Sequence, residues 1–364
     1  MSCRVLSASA AVAITSAVLL LLLALGSGPT SFLSFFAIAE AAGGQAPQVS
    51  SSSAKPKVAA KPWTPPRTPW GHPDLQGVWD YRTITPLERP SALSGKQFLT
   101  EDEATVFQRE ENQRQNRDLI DPAKGGLNYP PGGVVPYNEF WYDRGNSLVE
   151  SKRTSLIVDP PDGRLPPLTP EGKKRADASA AEDRETQLGR PHADSYEDRP
   201  LSERCILSSG TLPILPGPYN NNIQVIQSAG YVAILNEMIH DHRIIPLDKR
   251  PHLAQNMRQW LGDSRGHWEG DTLVIDTTNF SPKIDFRGAS TRLHVVERYT
   301  RVAADILQYE FTVDDPTIWT RSWTAVIPMR KSSELIYEYA CHEGNFALKN
   351  VLAGARTLEK RPSR

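Results

Sequence analysis

From residue 222 onward the chain reads mainly as strand, and after residue 278 apolar and polar positions alternate with a period of two, the mark of strands that bury one face. Leu307, Tyr309, Phe311 and Val313 share one face, while Gln308, Glu310, Thr312 and Asp314 share the other. Trp319, Trp323, Ala325 and Ile327 make a second inner row interrupted by Arg321, and Leu335, Tyr337, Tyr339 and Cys341 a third. The row Leu293, Val295, Glu297 and Tyr299 is the more apolar one in its segment, so it carries a carboxylate inward. Residues 231–235 are apolar on both faces, which predicts a central strand, and residues 267–278 predict a hairpin turning on Glu269-Gly270-Asp271. Successive alternating strands joined by short turns predict a mainly β chain. The architecture expected is an antiparallel meander forming a barrel or sandwich, with a few peripheral helices.

The first half is less regular. Residues 75–81 read as an opening strand in which Gly77 admits a neighbouring chain. Thr100 with Glu103 three positions on forms a capping box leading into a helix over 104–117. Residues 121–136 are rich in Pro and Gly and predict a long irregular loop. Strands are expected at 139–143 and 155–159, the second ending in the turn Pro160-Pro161-Asp162-Gly163. Thr169-Pro170-Glu171 starts a second exposed helix that runs to about Leu188. A short helix is expected at 251–261 and a final one at 346–359.

Arg4, an apolar stretch at 10–26 and small residues at 37–41 describe a secretory signal peptide over 1–39, or an uncleaved N-terminal anchor. Either way the body is expected to be exported, to a periplasmic or extracellular location. Residues 40–69, rich in Ser, Pro, Ala and Lys, predict a disordered tether, and residues 70–364 a single β-rich domain. Lys plus Arg number 41 against 42 Asp plus Glu, a balance that does not favour nucleic acid as a partner. Membrane contact is expected only through an uncleaved leader. In an oxidising compartment Cys205 and Cys341 are expected to pair, with two separate buried thiols as the alternative.

Candidate chemistry concentrates between residues 219 and 279, which hold His240, His242, His252 and His267 among the chain's 8 histidines. His240 and His242 at i and i+2 would project to one side of an extended strand. A metal could use that pair with a third ligand from His267, His294, Glu269 or His342. The metal-free reading takes His240 as a general acid or base, with a carboxylate from the 263–271 segment orienting it better than Asp241, its neighbour in the chain. The candidate catalytic set is His240, Asp241, Arg243, Glu269 and His267. Asn220, Asn221, Asn222, Glu297, Arg321 and His342 are the candidate ligand-binding set. Glu297, if inside the shell, needs a cation, and Arg321 is the expected partner. The three asparagines could equally shape a turn, and Trp268, Trp319 and Trp323 are expected in the core. The sequence points to no particular cofactor. It has no phosphate loop, dinucleotide fingerprint, Gly-x-Ser-x-Gly elbow or His-Glu-x-x-His.

The chain resembles a family of exported bacterial proteins of unassigned function. The phrases that carry this are residues 68–79 (Thr-Pro-Trp-Gly-His-Pro-Asp-Leu-Gln-Gly-Val-Trp), 153–167, 219–222, 237–251, 260–280 and 339–345. The resemblance implies that the position of His242 varies more than those of His240, Asp241 and Arg243, which argues against a His240–His242 metal pair. Gly77-x-Trp79 also resembles the opening of lipocalin-like barrels. The function expected is binding of a small organic ligand at a barrel mouth, extended by acid–base chemistry of lyase or hydrolase type. The alternatives are a metal-dependent hydrolase or oxidase and a non-enzymatic envelope interaction protein.

Overall fold

The computed structural model describes residues 63–126, 131–133, 138–188, 192–208, 210–284 and 286–360. The expected leader, and the expected tether as far as residue 62, lie outside the described residues. So do two stretches of the expected 121–136 loop, residues 127–130 and 134–137. The placed chain starts ahead of the expected boundary at Trp70: Arg67 bridges to Pro73, and Thr68 is buried.

Ten strands make one antiparallel sheet: β1 (Gly77–Asp80), β2 (Ile157–Asp159), β3 (Asn222–Gln227), β4 (Tyr231–Asn236), β5 (His242–Pro246), β6 (Asp263–Glu269), β7 (Thr272–Thr278), β8 (His294–Arg301), β9 (Ile306–Asp314) and β10 (Trp323–Ser332). Their order is β5-β4-β3-β1-β10-β9-β8-β7-β6, with β2 pairing β10 off this path. β4 thus lies inside the sheet, one strand from an edge. Neighbours alternate in direction, and the path holds an odd number of strands, so the edge strands β5 and β6 run the same way. They pack together without a ladder among the described residues. Gly266 makes this approach possible. A Cβ there would stand 2.7 Å from Leu247 Cδ2 and 2.9 Å from Ile245 Cγ2, inside any tolerable contact. The sheet therefore curls until its edges meet, and side chains rather than hydrogen bonds join the seam.

Alternation places one row from each strand inside. Trp79, Ile223, Val225, Val232, Ile234, Ile245, Leu273, Ile275, Val295, Tyr299, Leu307, Tyr309, Phe311, Trp323, Ala325, Ile327 and Met329 are all buried in one cluster. At one end, the Gln227 amide takes the Leu75 N–H and donates to Pro73 O, and the Trp79 indole donates to Leu75 O. The N-terminal segment is stitched across that end. At the other, the loop around residues 207–215 drops Leu207, Leu212 and Ile214 into the same cluster. Helices α1 (Glu101–Gln115), α2 (Pro170–Gln187) and α3 (Ala347–Glu359) are peripheral, with a single buried residue in α1 and in α2 and none in α3. Thr100 and Glu103 form the expected capping box. No described helix is long and apolar enough to cross a membrane. Cys205 and Cys341 form a disulfide, as expected in an oxidising setting.

Three expected elements are absent. Residues 335–341 are not a strand: Leu335 and Tyr337 are exposed, and both edges of β10 are already taken, by β9 on one side and β1 and β2 on the other. Residues 251–261 are not helical. The Asn279 amide bonds Leu253 O and Ala254 O, and Gln259 bridges to Phe280, so tertiary partners claim the carbonyls a helix would use. Residues 139–143 are not extended either. Glu139–Trp141 is a 3-10 turn whose Glu139 carboxylate accepts the Arg117 N–H.

Candidate functional site

The inward carboxylate is real, but its partner is Arg243 rather than Arg321. Glu297 is fully buried on β8, and Arg243 on β5 meets it with two parallel bonds, Nη1 to Oε2 at 2.6 Å and Nη2 to Oε1 at 2.9 Å. Tyr299 and Tyr309 hydroxyls both donate to Glu297 Oε1 at 3.0 Å. Tyr309 in turn accepts the Ile214 N–H at 3.1 Å. Burial alone would lower the Arg243 pKa, and the Glu297 charge outweighs it and raises it. Burial, reinforced by Glu297, raises both tyrosines. Arg243 Nε is the one donor of this network left without a partner. The network is buried, and it braces three strands and the loop above them. Arg321 sits outside, in an exposed ion pair with Asp159. Its place before β10, beyond the last inner residue, turns it away from the interior.

The histidine pair is not extended. Residues 238–240 form a 3-10 turn in which Ile239 and His240 have φ of 58° and 55°, and only His242 belongs to β5. The two imidazoles therefore do not share one side of a strand. His240 Nε2 accepts the backbone N–H of Tyr339, and His242 Nδ1 reaches His240 O. Asp241 is half-buried, its Oδ2 accepting the Thr211 hydroxyl at 2.9 Å and the Ser208 N–H at 3.2 Å. Burial raises its pKa and these two bonds work against that rise. Among the described residues no group of three or more His, Cys, Asp and Glu side chains is placed to hold a metal ion.

His267 and Glu269 do not join His240. They pair with each other at 3.0 Å, next to the β6–β7 turn, and Glu269 also takes Arg298 at 2.7 Å. His342 is exposed beside the disulfide. His252 bridges two carboxylates, Asp263 at 3.1 Å and Asp276 at 2.8 Å, and His294 takes the other Asp276 oxygen at 2.8 Å. The polar residues of the second half thus occupy several separate places.

One of those places is concave. A cavity of about 440 Å³ opens above the 207–215 loop, between residues 216–221, the Asn236–Met238 corner and Phe286–Arg287. Phe286 is buried against Trp323, with ring centroids 6.4 Å apart, and gives an apolar floor together with Leu215 and Met238. Of the asparagine run, Asn221 is a turn clip: its amide accepts the Gly217 N–H and donates to Gly217 O and Asp143 O. Asn222 donates to Glu237 at 2.9 Å. Asn220, at φ 56°, lines the cavity and its side-chain amide makes no hydrogen bond to a described group. Asn236 also lines it, and its buried Oδ1 has no partner. Arg287, at φ 49°, lines the same space and makes no hydrogen bond or ion pair with a described group.

Left-handed backbone at a non-glycine residue costs about 1–3 kcal/mol and persists where the surroundings impose it, often at functional sites. Asn220 and Arg287 line the cavity in that state, and Ile239 and His240 share it immediately after the cavity residue Met238. Asn236, Arg287 and Phe286 were not marked by the sequence reading. Asn236 had a usable signal, a lone amide ending the apolar run 231–235, whereas Arg287 had only a following glycine. No family model, curated protein or solved structure matches the chain.

Proposed function

We propose that the protein is exported and binds a small organic molecule in the cavity between the 207–221 loop and Phe286–Arg287. One observation carries the reading: a cavity with an apolar floor, lined by the Asn220 side-chain amide, which makes no hydrogen bond to a described group. An amide offers both a donor and an acceptor, so a ligand carbonyl or hydroxyl can pair with Asn220. Binding sites typically combine such an apolar lining with a few convergent polar groups. The leader-like N-terminus and the Cys205–Cys341 bridge support export. Acid–base chemistry is less well supported, because His240 Nε2 is committed to the Tyr339 N–H and lies outside the cavity lining.

The test is a thermal-shift screen of the mature protein against aromatic, apolar and saccharide compounds, followed by titration of any hit. Asn220→Ala, in a half-buried turn, should weaken the hit by about tenfold, the loss of one or two hydrogen bonds. His342→Ala should leave it unchanged. A screen in which nothing stabilises the protein, or a hit indifferent to Asn220→Ala, defeats the reading.

A further inference from the structure

The wall formed by Leu215, Pro216, Gly217 and Pro218 has a second cavity behind it, of about 490 Å³, and Arg287 lines both. This second space is cationic: Arg114, Arg117, Arg144 and Arg287 line it against one carboxylate, Glu111. Arg114 neutralises Glu111 with a bond of 2.8 Å from Nε. Arg144 spends Nη2 on Gln115 O and Glu139, which leaves its buried Nη1 with no partner. The Tyr142 ring lies 5.0 Å from the Arg144 guanidinium and holds it in place. Arg287 makes no hydrogen bond or ion pair with any described group. It is open to the cleft yet deep enough for burial to lower its pKa, with Glu88 the carboxylate acting against that.

We propose that this arginine cavity binds an oxyanion, a carboxylate or a phosphate or sulfate group, carried by the molecule whose body fills the first cavity, with Arg287 at the junction. A guanidinium presents paired donors that match two oxygens of such a group, and Arg287 lines the cavity with no hydrogen bond or ion pair to a described group. Glu111 holds Arg114 and Glu139 holds Arg144, so Arg287 is the lining cation that a neutral ligand would leave without a bonded carboxylate. The inference rests on the first cavity holding a ligand, but its assay reads the arginine cavity separately.

Inorganic phosphate, sulfate and acetate are titrated calorimetrically into the mature protein at constant ionic strength set with sodium chloride. Wild type, Arg287→Asn and Asn220→Ala are compared, asparagine being chosen because it tolerates the left-handed backbone. Saturable binding of at least one anion is expected, at least about tenfold weaker in Arg287→Asn and unchanged in Asn220→Ala. Tetrahedral anions binding alone identifies a phosphate- or sulfate-bearing ligand; acetate binding with the same dependence on Arg287 identifies a carboxylate. Should Arg287→Asn not fold, the arginine Nε–H signals of wild type are followed instead, and shifts at Arg144 and Arg287 support the site. No saturable binding by any of the three anions, or equal binding in Arg287→Asn, overturns it. An uncharged hit that needs Asn220 while no anion binds sinks this inference alone. Anion binding with no organic hit sustains the anion site alone and overturns its link to a ligand in the first cavity.

Discussion

Inside the curled sheet, Arg243 and Glu297 satisfy each other and two tyrosine hydroxyls with almost nothing left over. At the cleft, the Arg287 guanidinium and the Asn220 amide have no bond to a described group, and the buried Asn236 Oδ1 beside them has none either. The same chemical groups thus do opposite work. A buried charge whose every oxygen is taken holds parts of a fold together, and reacting or binding would require breaking it first. A polar atom left unpaired beside an apolar floor costs the protein stability, and that cost is recovered when something binds. Partner accounting separates the two regions better than residue type or burial does.

The sharpest way to break this contrast is Arg243→Met, which strands Glu297 in the interior. Urea unfolding should show a loss of about 3–5 kcal/mol, with much of it recovered in Arg243→Met combined with Glu297→Leu. A loss below about 1 kcal/mol for the single variant would mean the interior pair is no brace. Next in size is Tyr309→Phe. It leaves the buried Ile214 N–H without an acceptor and should cost about 1–3 kcal/mol. Because Leu215 follows Ile214 and lines both cavities, the same variant should also weaken any cleft ligand; intact affinity would separate the two regions completely.

Arg321→Ala tests the outer counterpart of the interior pair. Its bond to Asp159 is short, but both side chains are about half exposed, so the change should be under about 1 kcal/mol by the same measurement. The smallest effect belongs to His294, whose bond to Asp276 raises its pKa against the opposing effect of burial, with Asp314 adding to the rise. At Asp276 burial pushes upward, and the hydrogen bonds and charge of His294 and His252 outweigh it, leaving the carboxyl lowered. A raised histidine stabilises fully below its ordinary value of 6.5 and loses that contribution as pH climbs through its folded value. A lowered aspartate stabilises above its ordinary 3.8 and loses this as pH falls through its folded value. Melting curves of wild type and His294→Gln should therefore differ most between those limits and converge on either side. A gap that widens above neutrality would reverse the assignment.

Period-two alternation made most of the sheet legible before any coordinates. Rows such as Leu307-Tyr309-Phe311-Val313 and Val295-Glu297-Tyr299 are buried as read, because a sheet with one buried face imposes that period. The Leu335-Tyr337-Tyr339 row failed, since alternation says a segment can pair and not whether an edge remains to pair with. Local propensity also lost at 251–261, where the Asn279 amide, near in space and distant in sequence, captured the backbone. For the site, the asparagine run was visible, but its division of labour was not. Asn221 clips a turn, Asn222 holds Glu237, and Asn220 alone keeps a free amide in the cavity. The choice of Arg243 over Arg321 as the partner of Glu297 depends on which strands meet across the curl, and a linear pattern does not carry that distance.

The position of β1 bears on how the molecule comes to be. It is the earliest strand made, yet it lies between β3 and β10, so one flank waits for the last strand to be synthesised. Until residues 323–332 arrive, β1 and β9 each present a bare row of amides and carbonyls, ready to join the wrong neighbour. Assembly is therefore a whole-chain event dominated by contacts between distant residues, which makes for slow folding. A ribosome-bound or truncated chain lacking β10 is the form most in need of a chaperone.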